Sequence, residues 1–323
     1  MSVAESVATA TVGEGIVCLD TGYLRPGLAS FYLVESDGEY AVVECGTRYS
    51  VAQLTAYMRA EGIAVEQIRY VIPTHVHLDH AGGAGVLMAL FPRAELVVHH
   101  NGARHMIDPT KLEAGARAVY GNARFEEMYG EIVAVPASRV VSPDDGEILY
   151  LGRRALQFFD TPGHANHHFC LWDEHTGSWF SGDVFGVRYP QFAANAERPD
   201  FILTTTTPVQ FDPQKLVASV QLLVAKAPRQ ILLTHYGAVT AVAHCAEQLY
   251  AQIDASCAIA LRHQALAAGA ERCAAIEREL TDYMAAQLAE QRPDLDTAAH
   301  LALLAMDINL NAQGLDVWLA RRG

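Results

Sequence analysis

Residues 74–80 read Thr-His-Val-His-Leu-Asp-His, which puts three imidazoles and a carboxylate within six consecutive positions. Neutral imidazole and carboxylate are the usual ligands of zinc and of non-haem iron. A packing role gives no reason to gather four such side chains. A short apolar run at residues 69–73 precedes the motif, and residues 85–90 read as the start of a helix. The motif therefore falls on a strand-to-helix loop, where side chains can converge on one point.

Three later segments repeat the device of a short apolar strand that ends in a ligand-type side chain. Thr161-Pro162-Gly163-His164 follows a strand ending at Asp160, and Ser181-Gly182-Asp183 follows one ending in Trp179-Phe180. Leu232-Leu233-Thr234-His235 closes another. The candidates are His75, His77, Asp79, His80, His164, Asp183 and His235. That number suits two adjacent metal ions, each keeping a water. His99, His100 and His105 lack a carboxylate partner at metal-site spacing and read as structural or surface residues. His167 and His168 read as packing residues, with a contact behind the metal ligands as the alternative. Gly82 and Gly83 read as a tight helix entry. No G-x-S-x-G nucleophile elbow is present.

The elements that must position these residues follow from patterning. Residues 1–14 are small and polar and are expected to lie loosely on the surface. Strands are expected at 15–19, 30–35 and 39–44, the last two joined by a turn with Asp37-Gly38 at its tip. A helix follows at 51–61, with Leu54, Tyr57 and Met58 at helical spacing. Another short strand is expected at 95–99, and residues 111–129 have helical character and suit an insertion over the site mouth. Further strands are expected at 147–151, 155–160, 168–173, 178–181 and 230–233, with a helix at 214–225. The long irregular stretch from Asp183 to about Pro208 suits a lid that contacts substrate. Beyond Val239 the composition turns to Ala, Leu, Gln and Glu, with three or four helices expected, at about 241–268, 270–290, 297–306 and 308–321.

Composition bounds the function. With 323 residues and 51% hydrophobic content, the chain can bury a sizeable core. Its 23 Lys and Arg against 37 Asp and Glu give a net charge of −14. That balance disfavours nucleic acid and anionic membrane as partners. Six scattered cysteines with no C-x-x-C read as thiols in a reducing compartment. Residues 1–13 show no basic segment followed by an apolar run, so the expectation is a cytoplasmic protein.

Taken in order, T-H-V-H-L-D-H, T-P-G-H, S-G-D and L-T-H resemble the metallo-β-lactamase-fold superfamily over about residues 15–240. The resemblance implies an α+β fold, the four-layer αββα sandwich, as a catalytic domain over residues 1–240. An all-helical C-terminal extension would occupy residues 241–323. It implies that His75, His77 and His164 hold one metal ion, that Asp79, His80 and His235 hold another, and that Asp183 bridges them. The implied cofactors are two Zn2+ per chain, with iron and manganese suited to the same donors. The implied chemistry is hydrolysis by a metal-bridging hydroxide, whose parent water has its pKa lowered toward roughly 7. Asp79 would both bind metal and orient the nucleophile. Tyr189, six residues after Asp183, and Tyr236, beside His235, are the phenols considered as donors to a developing alkoxide, each with a packed aromatic as its alternative.

The fold does not select the bond to be broken. The glyoxalase II-like branch looks most similar, which implies a thioester and a helical extension that helps bind it. Arg262, Arg272 and Arg278 are carboxylate-binding candidates there by location only. A lactone is the neighbouring substrate. A phosphodiesterase is a further alternative, disfavoured by the charge. A different class, the persulfide dioxygenases, would use one iron on His75, His164 and Asp183. The expected partner is a small-molecule substrate, and the Ala-rich tail could pack on its own core or pair chains into a homodimer.

Overall fold

The structure, a computed structural model, describes residues 8–322 and builds them into two β-sheets with ten α-helices. Residues 1–7, with that part of the N-terminal expectation, lie outside the described residues. The chain divides into two compact units. The first comprises Met1–Asp160, His167–Gly182 and Arg229–Ala238; the second comprises Thr161–Asn166, Asp183–Pro228 and Val239–Gly323.

The first unit opens with a seven-stranded mixed sheet in sequential order: β1 (Thr9–Gly13), β2 (Ile16–Asp20), β3 (Ser30–Ser36), β4 (Glu39–Val43), β5 (Ile68–Ile72), β6 (Glu95–Val97) and β7 (Val140–Val141). Strands β1 to β4 are antiparallel, and β4 to β7 run parallel. The helices interspersed among them are α1 (Val51–Ala60), α2 (Leu78–Ala81), α3 (Ala84–Leu90), α4 (His100–Ile107), α5 (Thr110–Tyr120) and α6 (Asn122–Met128). The second sheet holds β8 (Ile148–Leu151), β9 (Arg154–Asp160), β10 (Phe169–Asp173), β11 (Ser178–Phe180), β12 (Gln230–Leu233) and β13 (Gly237–Val239), in the order β13-β12-β11-β10-β9-β8.

Alternation along β3 explains the layering. Phe31 and Leu33 face one way and pack with Leu54 and Met58 of α1, Leu87 and Met88 of α3 and Met106 of α4. Tyr32 and Val34 face the other way and pack with Phe158, Phe169, Leu171, Phe180 and Leu232 of the second sheet. A strand with period-2 side chains covered on both faces reads as a continuous apolar run, which is what residues 31–34 show.

The second unit carries α7 (Pro213–Ala225), α8 (Val242–Arg262), α9 (Ala270–Gln291) and α10 (Thr297–Ala320). The stretch before α7, irregular in the sequence, is held by its own hydrogen bonds. Val187 and Leu203 exchange both backbone hydrogen bonds, at 2.8 and 2.9 Å. Three buried amides on the helices then substitute for a neighbouring strand. Gln248 accepts from Ile202 N and donates to the Asp200 carbonyl, and Gln252 accepts from Thr204 N and donates to the Ile202 carbonyl. Asn311 accepts from Thr206 N at 2.6 Å and donates to the Thr204 carbonyl at 2.8 Å. A Cβ on Gly314 would stand 1.6 Å from the Thr206 carbonyl oxygen, so only glycine lets α10 lie this close.

The structure departs from the sequence expectations in several places. Residues 9–13 form an edge strand, not a loose arm. The C-terminal tail has three helices, the lower of the two counts expected, because α10 runs unbroken through residues 297–320. Helix α4 and the short strands β7 and β13 were not foreseen. Among the described residues no helix is long and apolar enough to cross a membrane.

Candidate metal centre

Each half of the opening motif has its own local geometry. Strand β5 delivers Thr74 and His75, both fully buried. His77 is the residue before α2, and Asp79 and His80 share that single helical turn. The turn is clamped to the end of β4: Cys45 N donates to the His80 carbonyl at 2.7 Å, and Gly83 N donates to the Gly46 carbonyl at 2.9 Å. A Cβ on Gly82 or Gly83 would come within 2.4 Å of the Leu78 carbonyl or 2.3 Å of the Cys45 carbonyl. These glycines serve the tight entry, as expected from the sequence.

Within the first unit, Asp79, His80 and His235 bring one ligand atom each to within 4.8 Å of one another. Asp79 Oδ2 lies 3.6 Å from His80 Nε2 and 3.5 Å from His235 Nε2. The opposite ring nitrogens are held by protein oxygens. His80 Nδ1 faces Glu44 Oε1 at 3.2 Å, and His235 Nδ1 faces the Leu28 carbonyl at 2.8 Å. An acceptor at Nδ1 keeps the proton there and leaves the Nε2 lone pair for a metal. The residues present therefore fit a metal ion. His75 Nε2 and His77 Nδ1 face each other at 2.8 Å, and the rings cross at 78°.

Within the second unit, His164 and Asp183 meet, with Nε2 and Oδ2 3.4 Å apart. Here too the far nitrogen is engaged, His164 Nδ1 lying 3.3 Å from Thr207 Oγ1. Thr205 Oγ1 donates to the Asp183 carbonyl at 2.8 Å. The Thr204–Thr207 run thus anchors both second-unit donors, and the amides of α8 and α10 anchor the run.

Sequence reasoning missed Glu44. Its carboxylate is buried to 1% exposure and accepts from Thr74 Oγ1 at 2.6 Å, Thr74 N at 3.2 Å and Thr234 Oγ1 at 2.8 Å, besides facing His80. It thereby joins the threonines that precede His75 and His235. Its backbone sits at φ +68°, uncommon for a residue with a Cβ and costing about 1–3 kcal/mol where it occurs. The one signal in the sequence was an acid closing the apolar run Val42-Val43.

Several other candidates find different roles. The Tyr189 ring is 1% exposed, and its hydroxyl donates to the Asp307 carboxylate at 2.9 and 3.0 Å. Its phenol is engaged by α10 rather than offered to a reacting oxygen. Tyr236 packs into the inter-sheet core, its hydroxyl against Cys18, and burial pushes its pKa up. Arg262 pairs with Glu279, and Arg272 is buried on Asp316, so neither stands ready for a substrate carboxylate. His99 does have a carboxylate partner, Asp160 at 3.2 Å, and His100 stacks on its ring. His99 Nδ1 accepts from Asn101 N at 3.1 Å, however, and so caps α4. The Nε2 proton this leaves points to Asp160, and a metal at that nitrogen would have to displace it. His167 and His168 lie against the motif, their ring centroids 6.1 and 5.0 Å from that of His75. Burial first, then the charge of His77, pushes the His167 pKa down to about 3.

The metallo-beta-lactamase superfamily model matches residues 24–235, and the chain belongs to that superfamily. It is 26% identical over 211 residues to the human acyl-coenzyme A thioesterase MBLAC2, covering 57% of this chain and 68% of that protein. It is 22% identical over 220 residues to the metallo-beta-lactamase fold-containing protein ST1585 of Sulfurisphaera tokodaii, covering 67% and 75%. The crystal structure of ST1585 matches with a TM-score of 0.63 over 96% of this chain and 98% of that one. A metallo-beta-lactamase family protein of Thermus thermophilus, TTHA1429, matches with a TM-score of 0.63 at 20% identity, over 96% and 93%. The metallo-β-lactamase fold with a helical C-terminal region is thus established, and the family and donor clusters together support a metal-dependent hydrolase.

Proposed function

We propose that the protein is a dinuclear zinc hydrolase that cleaves a small ester-like substrate, a thioester before a lactone. His75, His77 and His164 would hold one ion and Asp79, His80 and His235 the other, with Asp183 bridging, as the superfamily resemblance implies. The observation that carries the reading is the orientation of the imidazoles. In His80, His164 and His235 a protein oxygen holds Nδ1, and Nε2 is turned toward a carboxylate. When bound, such ions acidify a water toward a pKa of about 7 and polarise the acyl oxygen.

The chain's own residues supply the rest. Glu44 keeps His80 in one tautomer and ties it to Thr74 and Thr234, which fixes the strand ends that carry His75 and His235. Asp79 is the partly exposed carboxylate of its cluster and would orient the attacking water and accept its proton. The thioester preference draws on the likeness to MBLAC2, named as an acyl-coenzyme A thioesterase. The mononuclear iron alternative would use only His75, His164 and Asp183. It leaves the Asp79, His80 and His235 set, with its Glu44 support, without a purpose.

Metal analysis of protein purified without added metal tests the reading. About two zinc ions per chain are expected from the donor count. A single iron per chain, with oxygen consumed on a persulfide, would overturn it. A panel of acyl-coenzyme A thioesters, lactones and phosphodiesters then sorts the substrate, with thioester turnover expected to be fastest.

A further inference from the structure

His167 and His168 lie against the motif but belong to neither proposed ligand set. Among the described residues, neither joins a group of three ligand atoms close enough to share a metal ion. The two rings are used differently. His168 is 1% exposed and closes on the Ser181-Gly182-Asp183 turn, where a Cβ on Gly182 would stand 2.3 Å from its Nε2. His167 is half-buried. Its ring lies nearly parallel to that of His75, at 6.1 Å and 11°, and meets that of His77 edge-on, at 5.5 Å and 86°.

The His167 ring is set in place from two directions. Val76, between the two ligand histidines, donates its backbone N–H to His167 Nδ1 at 3.4 Å. Helix α4 packs close by: a Cβ on Gly102 would lie 2.7 Å from Val76 Cγ1 and 3.6 Å from His167 Cβ. A backbone amide can only donate, so Nδ1 is the acceptor and the hydrogen of the neutral ring sits on Nε2. Among the described residues that Nε2 has no hydrogen-bond partner, and it is not one of the polar atoms closed off from solvent. Within the motif, His75 and His80 are fully buried, while His77 and Asp79 are partly exposed. The open side of the first-unit donors is therefore the side of His77 and Asp79, and half-buried His167 stands beside His77.

We propose that His167 donates its Nε2–H to the acyl oxygen of the substrate on the His77 side of the metal centre. The assignment rests on the hydrolase reading and adds a substrate contact to it. A neutral imidazole can polarise a carbonyl by hydrogen bonding without giving up its proton. A donor placed in advance acts on charge that develops during attack, so its loss lowers kcat more than it raises KM.

The test compares two variants of the full-length, zinc-loaded protein. In His167→Asn the side-chain oxygen takes the place of Nδ1 and can accept from Val76 N, but the donor at Nε2 is gone. In His167→Gln the side-chain amide nitrogen reaches about as far as Nε2 and restores a donor. With the preferred thioester, kcat is expected to fall about 100-fold in His167→Asn with little change in KM, and to recover in part in His167→Gln. Zinc content is expected to stay at the wild-type level in both. Binding of butanoate, a carboxylate product, is expected to weaken several-fold in His167→Asn by calorimetry. Wild-type kcat and butanoate affinity in a folded His167→Asn overturn the donor while leaving the hydrolase reading intact. Loss of zinc in that variant, or a His167→Gln no better than His167→Asn, overturns it in favour of a role in holding the ligands. If His167→Asn does not fold, wild-type kcat in His167→Ala overturns the donor. A zinc-loaded wild type that binds butanoate better than His167→Asn, yet cleaves no thioester, ester or lactone, supports the donor and overturns the hydrolase reading.

Discussion

Glu44 shows how much of the candidate centre rests on a residue that is not one of the proposed ligands. It bonds to two threonines and faces the far nitrogen of His80. Glu44→Gln keeps the shape but puts an amide, half of it a donor, where acceptors are needed. Such partners behind a ligand are typically worth 10- to 100-fold in metal affinity. Zinc affinity by chelator competition is therefore expected to fall by about that factor, and unchanged affinity would remove Glu44 from the metal centre. The seven candidate donors stand out in the sequence because their side-chain types are rare neighbours. Glu44 does not, because a single acid at a strand end has no spacing signature. His99 is a second lesson at this scale. Burial lowers its pKa below the ordinary 6.5, against the opposing pull of Asp160. A depressed histidine favours folding above about pH 6.5 and loses that contribution as the pH falls, because the unfolded chain then binds the proton first. His99→Asn retains a side-chain oxygen to cap α4 and cannot titrate. Between pH 7.5 and 5, the urea midpoint of the wild type is expected to fall further than that of His99→Asn, and equal slopes would contradict the burial argument.

At the scale of elements, most strands and the long helices followed their apolar periodicity; of the elements missed, two were too short to show a period. Strands β7 and β13 have two and three residues. Asp307, between the last two expected helical stretches, lies inside the single helix α10 and receives the Tyr189 hydroxyl. Residues 183–208 looked irregular because nothing in a linear reading shows that Gln248, Gln252 and Asn311 supply a ladder for residues 200–206. Asn311→Leu tests that ladder. The substitution leaves the Thr206 N–H and the Thr204 carbonyl buried without their partner. Each such group costs about 1–3 kcal/mol, so a loss of roughly 2–4 kcal/mol is expected in urea unfolding; a change below about 0.5 kcal/mol would show that the ladder carries no weight. Tyr189→Phe makes the complementary case. It removes one hydrogen bond to α10, so about 1 kcal/mol of stability should go while kcat stays near wild type. A large drop in kcat would return Tyr189 to the reaction.

At the scale of the whole molecule, the donors are divided unequally between the two compact units. The first holds His75, His77, Asp79, His80 and His235, and the second holds His164 and Asp183. Both second-unit donors depend on the Thr204–Thr207 run, and that run depends on amides from α8 and α10. The extension that the sequence set apart at residue 241 is therefore part of what positions two of the seven proposed ligands. A chain cut after residue 240 loses Gln248, Gln252 and Asn311 together, and with them the backbone partners of residues 200–206. It also exposes Phe211, whose ring packs against Trp318. Asp79, His80 and His235 keep their supports at Glu44 and Leu28, because these lie in the first unit. The cut chain is thus expected to retain the sheet signal in circular dichroism and about one zinc per chain from its surviving donor set, with thioester turnover lost. Two zincs and normal turnover in the cut chain would show that His164 and Asp183 are placed without the helices, and the dependence argued from the amide ladder would fail.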